Sequence, residues 1–556
     1  MRKRLWYSVP VCLLAVAAVA VLAGSAAAGT RHAKISSTLH VTADNTDVDH
    51  SDPGLAYGVL SWQIEYETCV PLVGYSDVGG KAVDSAVTPI GATGMPVIKN
   101  SGKTYVFTVK SGFHFSDGTP LTAANYKYAI DRDASKTLVS PVSGFMAGVV
   151  GWTAATNGAN GVSGVTVSGN KLTINLSAPD GSLMPKLAMP FFCPIEKAPP
   201  FYVNGAWVDT EVTSPYPAPG PYYIAQRDVG TDIVLKKNPH YSGPRPARAS
   251  TILIDMNTSS AGAYNGISNG TYAADLNGNP NPAQNYALSK QYGVDKGRFW
   301  IHSELETTYL AMNTTRKAFK NVNVRKAVNV ALNRPSVIKI GGYDSGSPTV
   351  QVLPKPLTGG VYSTKLYPIT APGKARFSSA KKLSKDCGVA HGSHLNFWHG
   401  NSAPAIETAA VISYDLRQMG CSVNSVPTAG YARYVEGGVK GTSMDIMTAG
   451  WVDDYPDGYD FMHILLDGRT ITKNNNNNLA YFSNKTFDQK LDKANALSGA
   501  ARAKAWGQLD QWVMKNYAPW APIENTNVVD YLAPNAKGYV FDGPFGSIDL
   551  GDFYQS

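Results

Sequence analysis

Four groupings in the chain bring together residue types that chemistry uses. Cys387, His391, His394 and His399 fall within a short stretch and offer thiolate and imidazole donors to a metal such as zinc or nickel. Their spacing fits no standard zinc finger, Gly388, Gly392 and Gly400 mark the stretch as loop, and a disulfide at Cys387 would remove it as a ligand. No metal and no cofactor are expected. Gly266-Ile-Ser268-Asn-Gly270 fits G-x-S-x-G, but a nucleophile elbow needs a buried strand directly before it, which Tyr264 and Asn265 do not supply. Ser378 and Lys381 fit S-x-x-K without an S-D-N or K-T-G partner, and no G-x-x-x-x-G-K-[ST] phosphate loop occurs. The fourth grouping, Trp451-Val-Asp453-Asp454-Tyr455-Pro-Asp457, sets carboxylates among aromatic rings. A carboxylate partly withdrawn from water calls for a cation, and aromatic faces hold varied side chains, so this grouping suits binding better than bond breaking. The same acids could instead cap turns around Pro456.

The elements that must position these residues can be read from periodicity. Tyr105, Phe107 and Val109 alternate with Val106, Thr108 and Lys110, as in a half-buried strand. A turn at Ser116-Asp117-Gly118-Thr119-Pro120 comes next, and Thr122 is placed to cap a helix over 123–132 whose Ala123, Tyr126, Ala129 and Ile130 face inward. Val324, Ala327, Val328, Ala331 and Leu332 share one face of a helix over 322–333, which Pro335 stops, with Gly341-Gly342 beyond. From 395 to 451 the pattern alternates: strand 395–399, helix 405–419 stopped by Gly420, strand 422–426, helix, strand 444–451. Such alternation indicates an α/β lobe. Sites in such lobes lie beyond the carboxyl ends of strands, which singles out Val452 to Asp457 as ligand-facing. The run Asn474 to Asn478 reads as a mobile surface loop.

A chain of 556 residues exceeds what one hydrophobic core supports, so two or more lobes are expected. It begins like an export signal: Arg2, Lys3 and Arg4, an apolar run from Val9 to Ala23, then Ala26-Ala27-Ala28. Residues 1–28 are expected to be removed, with an uncleaved anchor as the alternative. Ser25 after Leu22-Ala23-Gly24 closes the lipoprotein route. The net charge of +8 falls to +5 without those three cations, and the remaining basic residues are scattered, which excludes a nucleic-acid partner. Cys69, Cys193, Cys387 and Cys421 remain in the exported chain, and pairing Cys69 with Cys193 and Cys387 with Cys421 keeps each bridge within one half.

The run from Tyr105 to Ala123, YVFTVKSGFHFSDGTPLTA, resembles the S-D-G-x-P-L-T-A turn of the family 5 extracellular solute-binding proteins of ABC importers, the dipeptide-, oligopeptide- and nickel-binding family. Further matches occur in the family's order: Gly220-Pro221-Tyr222, Asn238-Pro239-His240-Tyr241, Met312-Asn313-Thr314-Thr315, Val324-Arg325-Lys326-Ala327, Ala331-Leu332-Asn333-Arg334, and Gly450-Trp451 with Asp454-Tyr455. The resemblance implies an α/β, two-lobed periplasmic-binding-protein-like fold (type II, cluster C). The first lobe would comprise 36–65, 213–299 and 525–556, an inserted subdomain 66–212, and the second lobe 300–524. It implies a non-enzymatic, extracytoplasmic bacterial receptor, acting as a monomer, that closes on a peptide or other small molecule and delivers it to ABC permease subunits. Oligosaccharides and metal chelates are the alternative ligands, and a secreted hydrolase is the remaining alternative reading. It gives Asp454 the role of pairing with a peptide's amino terminus and makes Trp451, Tyr455 and Tyr57 candidate walls of the cleft.

Overall fold

The computed structural model describes residues 36–556 apart from 44–47, 76–85, 209–214, 279–280, 386, 388–393, 430–431 and 475. The expected export segment and His391 lie outside the described residues. Among the described residues no helix is long and apolar enough to cross a membrane.

Three sheets carry the architecture. In the first, Thr38–Thr42 runs parallel to Thr251–Asp255, and Asp232–Lys237 and Tyr222–Asp228 are added antiparallel. Leu39, Val41, Ile224, Ile233, Leu235, Ile252 and Ile254 are buried together, as the two-residue period of the strands requires. The second and largest sheet takes Val423–Thr428, Leu395–Gly400, Ile446–Val452, Glu306–Met312 and Trp520–Tyr531 in that order. Its first three strands are parallel, and the helix Ala403–Gln418 makes the crossover that parallel neighbours need. The α/β alternation expected over this stretch is present. The helix Val322–Ala331 buries Val324, Ala327, Val328 and Ala331 against this sheet, and Pro335 sits in the first turn of the next helix, Arg334–Ile338. The third sheet is antiparallel and joins Val97–Lys99, Thr104–Thr108, Lys171–Asn175 and Val165–Ser168. Beside it the helix Ala123–Asp133 starts at Thr122, whose N–H and hydroxyl both donate to Asn125 Oδ1 at 2.9 and 2.7 Å. Gly118 has φ +91°, a left-handed value that favours glycine in the preceding turn.

The strand Trp520–Tyr531 is long enough to serve three neighbours, one of them the short strand Gly346–Pro348 along residues 524–526. Residues 527–531 pair with Phe299–Ser303, and residues 520–524 pair with Glu306–Met312. One end of this ribbon packs with Ile267 and Leu288, and the other is the centre of the large sheet. Where the two pairings meet the ladder is broken, and Glu304, Glu306 and Glu524 gather at the break. Burial and the neighbouring Glu306 push Glu304 up to about 8, and the same two causes push Glu524 up to about 7.

Cys69 is bonded to Cys193 and Cys387 to Cys421, the pairing favoured from the sequence. The asparagine run differs from expectation in part. Asn476 and Asn478 are buried, and Asn478 donates to Phe482 O at 2.9 Å and Asp467 O at 3.3 Å while accepting from Phe482 N–H at 3.0 Å. Their amides satisfy buried backbone that would otherwise lack partners, so these two residues anchor the run, while Asn474 and Asn477 are exposed as a surface loop requires.

Candidate ligand-binding site

The strand Ile446–Val452 ends beside the ribbon, and beyond it the backbone has no strand to pair with. Asp453 N–H therefore donates to Leu305 O at 3.1 Å. Four residues later Asp457 caps the helix Gly458–Leu466, accepting from Tyr459 N–H at 2.7 Å, and forms an ion pair with Arg502 at 2.7 Å. Capping, the alternative role for these acids, is thus the role of Asp457. In the first turn of the helix Asp460 Oδ2 accepts from the Trp451 indole N–H at 2.9 Å and from the Asp454 N–H at 3.1 Å. The two bonds fix the Trp451 ring and the loop together.

Asp453 and Asp454 are left facing a cavity of about 510 Å³ that Trp451 also lines. The opposite wall comes from the two ends of the chain: Tyr57 and Trp62 at the start of the helix Val59–Thr68, and Pro544 and Phe545 from the C-terminal turn. Trp62 lies 6.2 Å from Phe545 and 5.9 Å from Tyr57, ring centre to ring centre, so the wall is a packed aromatic surface. Asp49 also borders the cavity, but its carboxylate already accepts from Tyr57 N–H at 2.9 Å and the Ser61 hydroxyl at 2.6 Å.

Asp454 is only 7% exposed and Asp453 6%, and the Oδ2 of each has no hydrogen-bond partner. Burial pushes the Asp454 carboxyl up to about 7. Hydrogen bonds with Tyr57 and Asp460 pull it down, and the charge of Asp453 adds to the rise. Burial, then the charges of Asp460 and Glu304, holds Asp453 well above the usual carboxylate range, and burial with Asp454 does the same to Asp460. Among the described residues no Lys, Arg or His forms an ion pair with Asp453, Asp454 or Asp460. The site is a mostly aromatic cavity with a buried and uncompensated acidic floor.

Of the four candidate ligand residues the cavity collects Asp454, Trp451 and Tyr57. It does not collect Tyr455. That side chain is 1% exposed and packs against Phe145, 6.3 Å away, within a core formed mainly by residues of the 56–192 region together with Val540 and Phe545. Its ring is drawn away from the cavity by that packing. Sequence reasoning missed Trp62, Pro544 and Phe545, which reach the site only through tertiary contacts across nearly the whole chain. The other groupings go to structural use. Cys387 is in a disulfide, His394 meets the Ser422 hydroxyl at 2.5 Å, and His399 meets Ser425 at 2.6 Å. Ser268 lies within the helix Ser260–Asn269, its hydroxyl donating to Tyr264 O at 2.7 Å, and Ser378 and Lys381 lie within the helix Lys374–Ser384.

The model for bacterial extracellular solute-binding proteins, family 5 Middle, matches residues 86–473. The chain belongs to this family. Among its relatives the periplasmic oligopeptide-binding protein OppA of Salmonella typhimurium is 22% identical over 463 residues, 81% of this chain and 82% of that one. Heme-binding protein A of Haemophilus influenzae is 29% identical over 265 residues, so the chain spans 46% of that relative's length. In fold it is similar to the solved clavulanic acid biosynthesis oligopeptide binding protein 2, with a TM-score of 0.82 at 19% identity over 94% of this chain and 96% of the other. The family 5 receptor therefore has the two-lobed α/β architecture, and its family is one of extracytoplasmic binding proteins.

Proposed function

We propose that this solute-binding protein captures a peptide by its free amino terminus and delivers it to the membrane permease of an ABC importer, without chemical change. One observation carries the reading: Asp454, buried beside an aromatic cavity, has an unpartnered oxygen and no cation of the protein's own. An α-ammonium supplies both charge and hydrogen-bond donors to that oxygen. Aromatic walls suit a receptor that must accept many side chains, since ring faces make contact without demanding one partner. The relatives named for oligopeptide binding support the same ligand class. The sheets support a first lobe of 36–65, 213–299 and 525–556, an insertion of 66–212 and a second lobe of 300–524, with the ribbon of 299–312 and 520–531 as the natural hinge. Closure from about 1:99 to 99:1 requires roughly 5.5 kcal/mol of extra interaction in the closed state, which an ion pair at Asp454 with several backbone bonds can furnish.

Calorimetry with short peptides and their Nα-acetylated counterparts tests the reading. Asp454→Asn should weaken binding by about 3 to 5 kcal/mol, or two to three and a half decades. Acetylation should cost a similar amount, and the two losses should not add. If acetylated peptides bind as well as free ones, the peptide reading fails and a non-peptide solute becomes the better account.

A further inference from the structure

The acidic floor holds more carboxyls than one α-ammonium can answer. We propose that the cleft selects peptides whose first residue carries a second cation on its side chain, lysine or arginine, with Asp453 as the acceptor of that cation. The inference rests on the assignment of Asp454 to the ligand's amino terminus.

Asp453 and Asp454 are consecutive, line the same cavity, and each present an unpartnered, buried Oδ2. A residue held at its α-nitrogen by Asp454 has its own side chain within reach of Asp453. The charges around Asp453 are all of one sign. Asp460 approaches from the helix Gly458–Leu466, Glu304 from the ribbon and Asp542 from the C-terminal turn, and each raises the proton affinity of Asp453. Burial raises Asp542 well above the usual carboxylate range as well. The nearby cations are occupied elsewhere. Arg502 pairs with Asp457, and Arg245 donates to the backbone carbonyls of Tyr66 and Cys69 while stacking on the Tyr66 ring. Arg245 eases Asp542 electrostatically but forms no ion pair with it. The Tyr75 hydroxyl, buried and without a hydrogen-bond partner, is close enough to Asp453 for their charges to interact. A protonated cluster satisfies such a floor only while the cleft is empty of cations. A ligand with two positive groups displaces those protons and fills both unpartnered oxygens.

The walls fit the stem of such a side chain. Trp62 and Phe545 offer apolar ring surface over which methylene groups lie, while a guanidinium or ammonium gains from an aromatic face before it reaches the acid. Glu304 borders both this cluster and a smaller neighbouring cavity of about 230 Å³.

The test is calorimetry with three tripeptides: Lys-Ala-Ala, its Nε-acetyl form, and norleucyl-Ala-Ala, which keeps the stem and removes the charge. On the wild-type receptor the two neutral forms should bind roughly 10- to 100-fold more weakly than Lys-Ala-Ala. On Asp453→Asn that ratio should shrink to within threefold. Neutral forms that bind the wild type within threefold of Lys-Ala-Ala would overturn the inference, and so would a ratio that survives Asp453→Asn. The wild-type comparison decides even if a variant fails to fold. Nα-acetyl-Lys-Ala-Ala separates the two claims: if it still binds poorly while the Nε-acetyl form binds well, the second cation falls and the amino-terminal reading stands.

Discussion

Replacing Asp454 by Asn should change how the empty receptor's stability depends on pH. The carboxyl is moved from an ordinary 3.8 to about 7, chiefly by burial. At about 1.4 kcal/mol per tenfold change in proton affinity, this corresponds to on the order of 4 kcal/mol against the ionised form in the fold. The folded chain keeps a proton on Asp454 through a range where the unfolded chain has lost it, so stability falls as pH rises across that range. The contribution is fully present below about pH 4 and is lost as pH rises through about 7. Asparagine has the same shape and does not titrate. Urea unfolding of wild type and Asp454→Asn from pH 4 to pH 8, without ligand, should therefore show the wild type losing up to about 4 kcal/mol relative to the variant. The titration of Asp454 is linked to that of Asp460 and feels the charge of Asp453, so the difference curve is read as a whole and not assigned to one step. A difference that stays flat within about 0.5 kcal/mol over that range would refute the buried, uncompensated carboxylate on which the site rests.

The fold sets three further outcomes. Reducing the Cys387–Cys421 bridge, which closes a separation of 34 residues, should lower stability by roughly 4 kcal/mol in thermal unfolding with and without reductant. Asn478→Ala should cost about 2 to 4 kcal/mol by denaturant midpoint, because it strands the buried backbone groups of Phe482 and Asp467. Arg502→Met leaves Asp457 without its charge partner and should cost about 3 to 5 kcal/mol, with a smaller loss if water reaches the pair.

How much the sequence disclosed depended on how local the cause was. The Val322–Ala331 helix and the strand and helix around the Ser116–Pro120 turn were legible because their periodicity and caps lie within a few residues of one another. The cavity-lining stretch was legible at its first half because a strand end in an α/β lobe exposes the residues just beyond it. The burial of Tyr455 was not legible because the direction of a side chain past a strand end is set by the groups that pack there, here Phe145. The burial of Asn476 and Asn478 was not legible because composition alone cannot show that their amides replace backbone partners in a turn. Trp62 and Phe545 belong to the cavity for reasons of topology, since the chain's two ends meet across from Asp454 and no local pattern records that meeting.

The most direct test of the central claim is a crystal structure of the receptor with a bound tripeptide. The peptide's α-ammonium nitrogen should lie about 2.7 to 2.9 Å from an Asp454 carboxylate oxygen, with the Trp451 and Trp62 rings closing over the first side chain. A peptide bound in the cleft with its amino terminus beyond about 4 Å from Asp454, and the Oδ2 of that carboxyl still unpartnered, would contradict the assignment.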